Sequence, residues 1–67
     1  MKVSEQTIKN AAQHAANWTF AHLAATSSID NNTAAEVAKD AGDALAAGLE
    51  LSLREHGVEI EKEHHAG

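Results

Sequence analysis

Histidine is the first side chain in this sequence that could do chemistry. His14 and His22 lie eight residues apart with Trp18 midway, and Glu61, His64 and His65 gather toward the other end. On a helix, eight residues make two turns, about 12 Å. That is too far for one metal ion, which sits about 2 Å from each imidazole nitrogen. Ligation by His14 and His22 would need a second subunit. Glu61 and His65 could share an ion only on a helix, and an adventitious, flexible cluster is the expectation there. His22 falls on an apolar helical seam and reads as a buried, hydrogen-bonded histidine.

Other chemistries find no footing. There is no Gly-x-Ser-x-Gly elbow, no phosphate loop and no His-Glu-x-x-His. The absence of cysteine removes thiolate chemistry and disulfides together. Asp40 and Asp43 read as solubilising charges. No catalytic residue, metal or cofactor is expected. Trp18, the single tryptophan, reads first as a core or interface anchor, because it carries a large apolar area and one donor. The sharper reading makes it a recognition residue. Asn10, His14, Asn17, Trp18 and His22 are then the candidate binding set.

The elements that must position these residues are two helices. Helix 1 is expected over about 4–26. Ser4 is a good N-cap, and Val3 and Ile8 fit a hydrophobic staple. The run from Ser27 to Asn32 is turn-rich. Helix 2 is expected over about 33–56, with Thr33 and Glu36 as a capping box. Gly57 after His56 suits a left-handed close, with Val58 able to touch Leu53. The tail, 57–67, is acidic. Val58 to Glu61 alternates with period two, which permits a short strand or one exchanged between subunits, but a frayed tail is the expectation. The whole chain is one domain, an all-α antiparallel two-helix hairpin.

Charge is distributed unevenly. From Asn10 to Ile29, twenty residues carry no Asp, Glu, Lys or Arg, in a chain that is 22% charged. Roughly four or five would be expected there. Helix 2 shows a conventional charged stripe with Lys39, Glu50, Asp43, Glu36, Arg54 and Asp40. Opposite it lies an arc with Val37, Ala41, Ala44, Leu45, Gly48, Leu49, Leu51 and Leu53. Helix 1 has an apolar seam through Ile8, Ala11, Ala15, Trp18, His22 and Ala25, with Phe20 well round from Trp18. Its remaining side, Gln6, Asn10, Gln13, His14 and Asn17, is polar without charge. Gly42 and Gly48 each cost a helix up to about 1 kcal/mol. Close backbone approach is the simplest reason for both.

Both apolar arcs are wider than one packing neighbour needs. The expectation is therefore a homo-oligomeric helical bundle, simplest as a dimer of hairpins. Its interface is expected at Ile8, Ala11, Ala15, Trp18, His22, Leu45, Gly48 and Leu49. In length and architecture, and in no motif, the layout resembles the small plasmid RNA-binding hairpin that dimerises into such a bundle. That likeness implies an RNA-binding alternative, which the net charge of -5 disfavours.

Function is read from assembly. The favoured reading is a non-enzymatic interaction protein, an oligomer that binds and inhibits or adapts a partner protein. The analogy is to phage and mobile-element accessory proteins, in size and composition only. The acidic side of helix 2 could compete with nucleic acid for a basic partner surface. The alternative is a small-ligand binder, for example a nucleotide-sequestering oligomer using helix N-termini, Lys2 and Lys9. No signal-peptide layout is seen, and Asn10, Gln13, His14, Asn17 and His22 make the charge-free stretch a poor membrane span. A soluble, cytoplasmic protein is the default.

Overall fold

The computed structural model describes residues 1–62, and its element order is β-α-α-β. Strand β1 is Lys2–Ser4, helix α1 is Glu5–Thr26, helix α2 is Asn31–Glu55 and strand β2 is Glu59–Glu61. The chain is mostly helical, and the two helices pack against each other as a hairpin. The proposed cluster of Glu61, His64 and His65 lies partly outside the described residues, since His64 and His65 fall beyond 62.

Local chemistry sets each helix end. The Ser4 hydroxyl accepts the Thr7 backbone N–H at 3.1 Å, satisfying one orphan donor, and Glu5 sits in the first turn where a carboxylate is favoured. At the far end Ser27 closes α1. Its backbone N–H and its hydroxyl both donate to the Leu23 carbonyl, at 3.1 and 2.6 Å. α2 closes with Gly57 at φ 78°. Val58 N–H donates to the Leu53 carbonyl at 2.9 Å and Gly57 N–H to that of Arg54 at 3.0 Å. These are the two bonds of a Schellman ending.

The start of α2 corrects the expectation. Asp30, not Thr33, is the cap, and helix begins at Asn31. One Asp30 carboxylate oxygen accepts the Thr33 backbone N–H at 3.0 Å and the other accepts the Thr33 hydroxyl at 2.7 Å. A carboxylate at this position satisfies an orphan N–H and also complements the helix dipole, so it outcompetes the hydroxyl three residues on. Thr33 becomes a donor to the cap.

The tail is the second correction. Glu59–Glu61 is not frayed but pairs in parallel with Lys2–Ser4, in the register Lys2 to Glu59, Val3 to Ile60 and Ser4 to Glu61. The Glu59 N–H reaches the Met1 carbonyl at 3.0 Å. Val3 and Ile60 are half-buried on the inner side of this pair. The alternation in the tail is thus a strand pattern, and its partner is the segment before the Ser4 cap.

The hairpin seam is narrow. Ile8, Ala34 and Ala38 are buried, with Gly42 beside them, and no large side chain is fully enclosed. A Cβ on Gly42 would come 2.9 Å from the Ala12 carbonyl oxygen and 3.2 Å from the Ala16 Cβ, so glycine is what lets the helices close there. Gly48 differs: a Cβ there would meet nothing within 4 Å. The expectation of close approach is therefore corrected for Gly48 within the single chain. The result is a slab of 42 × 32 × 13 Å with a radius of gyration of 14.5 Å. A compact chain of this length has about 11 Å. One layer of helix accounts for the difference.

Candidate interaction surfaces

The slab has two broad faces of opposite character. At 100° per residue, with Ile8, Ala12, Thr19 and Leu23 turned inward on α1, Trp18 and His22 fall to one side and Lys9 and Phe20 to the other. Because α2 runs antiparallel, Val37, Ala41, Leu45 and Gly48 share the side of Trp18. Ala35, Lys39 and Asp43 share the side of Phe20, and they line one groove with it.

The Trp18 side is uncharged. Trp18 is 67% exposed, Leu51 58%, Val37 43% and Leu45 40%, and together with Met1 these are the most exposed large apolar residues of the described chain. Ala11 and Ala15 complete the surface on α1. On the wheel, Asp40 stands at its outer edge beside the position of Leu51, and Glu55, the last residue of α2, enters it at the end. The Trp18 and His22 rings stack, with centroids 4.9 Å apart and planes 6° apart.

One expectation about this seam is corrected: His22 is exposed in the single chain rather than buried. Trp18, read as a core or interface anchor, is not in the core of the chain. The hairpin seam is filled by alanine and glycine, which bring the helices too close to admit an indole between them. Two interface candidates lie on the inner side of the hairpin: Ile8 is 4% exposed and belongs to the hairpin's own core, and Leu49 is half-buried. Ala11, Ala15, Trp18, His22, Leu45 and Gly48 remain together on the uncharged face.

The candidate binding set does not converge. Trp18 and His22 lie on the uncharged face, and Asn17 lines the groove on the other. Asn10 and His14 lie along the outer edge of α1. Asn10 and Asn17 accept side-chain amide hydrogen bonds from Gln6 and Gln13, each at 2.9 Å. The uncharged polar side is thus partly engaged with itself, one turn to the next.

Sequence reasoning missed the groove. It has a volume of 580 Å³, with Phe20 at one end and a floor that includes Ala16, Ala38 and Gly42. A second cavity of 290 Å³ adjoins it at Lys9 and Ala46 and runs on to Ile60. The signal was present in the shared wheel position of Lys9 and Phe20. Seeing that Lys39 faces them required the hairpin's handedness.

Among the described residues three ion pairs stand on the charged side, all one turn apart: Glu5–Lys9 at 3.3 Å, Lys39–Asp43 at 3.6 Å and Glu50–Arg54 at 2.7 Å. The Asp30 carboxyl is held below its ordinary value, first by the Thr33 hydroxyl and then by the Thr33 backbone N–H. Among the described residues no three His, Asp or Glu side chains gather as a metal site. No helix among them is long and apolar enough to cross a membrane. Comparison with protein-family models, curated proteins and solved structures finds no match to this chain.

Proposed function

We propose that this chain is a small non-enzymatic interaction protein, a helical homo-oligomer that binds a partner protein and inhibits or adapts it. The uncharged face carries the reading. Stable domains are built from two packed layers around a core, and this slab has one. An exposed apolar surface with an aromatic at its centre marks an association site. A second copy is a suitable cover. On a chain of net charge -5, the uncharged face is where two copies meet without like-charge repulsion. Two hairpins stacked on it make a four-helix bundle with Trp18, Val37 and Leu45 inside.

Light scattering over a wide concentration range, with Trp18 fluorescence recorded alongside, tests this. The expected result is a dimer or higher oligomer whose tryptophan emission shifts to the blue on assembly. Trp18→Glu and Leu45→Glu, both at exposed positions, are expected to give folded monomers. A folded wild-type monomer with solvent-exposed emission at every concentration removes the oligomer. Failure of wild-type and Glu variants alike to retain any host protein removes the partner.

A further inference from the structure

The groove side of the slab has a charge of its own. Lys9, Lys39, Arg54 and Lys62 line the two adjoining cavities, four of the five basic residues in the chain. Only Glu5, Asp43 and Glu50, three of ten acidic residues, line them too. Basic side chains are therefore concentrated on one face of an acidic protein. Between them the floor is apolar, with Phe20 at one end and Ile60 at the other.

Resting on the interaction reading above, we propose that this trough is the docking site for an amphipathic, acidic helix of the partner protein. From Phe20 to Glu5 the trough follows α1 for about 22 Å, room for about four turns of a docked helix. A mononucleotide would leave most of that length empty. A small-residue floor lets a third helix axis come close, and its large apolar side chains would meet Phe20 and Ile60. Carboxylates flanking that stripe would meet the lysines.

The ion pairs already present do not oppose this. Three of the four trough cations are paired one turn away, Lys9 with Glu5, Lys39 with Asp43 and Arg54 with Glu50, but the paired side chains are 35–78% exposed, and such pairs are weak, so each cation can be drawn to a better placed carboxylate.

The test uses two helical peptides with leucine at i, i+4, i+7 and i+11, one flanked by glutamates and the other by lysines. Fluorescence anisotropy reads their binding to the full chain and to Lys9→Glu/Lys39→Glu, whose fold is checked by circular dichroism. The glutamate peptide is expected to bind, weakened roughly tenfold by the double variant and by added salt. Equal binding of both peptides, or none, overturns the proposal. So does a loss of oligomeric state in the lysine variant, which would assign the trough to a second copy, or displacement of the peptide by a nucleotide or RNA. An oligomer that binds neither peptide would sink the trough proposal alone; a monomer that retains no host protein would sink the interaction reading as well.

Discussion

Replacing Gly42 and Gly48 by alanine, one at a time, separates the two glycines of α2 by sign. At Gly42 the new methyl carbon would sit 2.9 Å from the Ala12 carbonyl oxygen, where ordinary contact begins at 3.4 Å. The obstacle is backbone, so the helices must part by about 0.5 Å, enough to forfeit a quarter or more of each dispersion contact along the seam. Overpacking of this kind costs about 1–3 kcal/mol, and the helix propensity of alanine returns about 1. The net is a loss of about 1 kcal/mol, with the seam at Ala12 and Ala16 disturbed. At Gly48 nothing lies within 4 Å, so propensity acts alone and alanine stabilises by up to about 1 kcal/mol. The two variants should differ by about 2 kcal/mol, or about 10 °C in Tm for a domain this small. Urea titrations followed by circular dichroism, at the lowest usable concentration, read the difference. A Gly42→Ala protein as stable as Gly48→Ala would refute the seam. Repeating the titration at high concentration adds a second reading, because Gly48 lies on the uncharged face. There its gain should shrink if a second copy packs against it.

Three further outcomes are expected. Ser4→Ala removes the acceptor for the Thr7 N–H and should cost about 1 kcal/mol in urea unfolding, whereas Ser4→Asp should not. Asp30 has its folded-state pKa below its unfolded value, so its stabilising contribution is present above the ordinary 3.8 and is lost as pH falls through the folded-state value. A carbon-detected NMR titration should place its midpoint under 3.8, and Thr33→Val should raise it. Ile60→Ala should speed amide exchange at Glu59 and leave the middle of α2 unchanged. Equal acceleration in both would mean that the strands and the hairpin open together.

What could be read in the residues was what neighbours decide. The Ser4 cap and the Gly57 close depend on side chains and backbone within six positions, and both stand where the residue types put them. The start of α2 is equally local, yet Asp30 and Thr33 are both good caps and the choice turns on a carboxylate against a hydroxyl. The strand at Glu59–Glu61 showed its alternation, but its partner lies at Lys2–Ser4, and nothing in either segment names the other. The exposure of Trp18 was hidden for a related reason. A wheel shows which residues share a side, but not how little room an alanine and glycine seam leaves. The groove needed one more fact, that antiparallel packing sets Phe20 and Lys39 on the same side.

The parallel pairing of Lys2–Ser4 with Glu59–Glu61 also orders events in time. Every contact of the helical hairpin can form as soon as α2 exists, whereas the first strand must wait for the residue at 61. The helical hairpin can therefore close before its clasp, whose pairing spans the longest sequence separation in the fold. The same closure makes the two ends one unit. A protease that trims either strand releases the other from its pairing. In an assembled bundle the clasp of each copy would mark the open end of its hairpin, away from the loop, giving an otherwise near-symmetric pair of helices a fixed polarity.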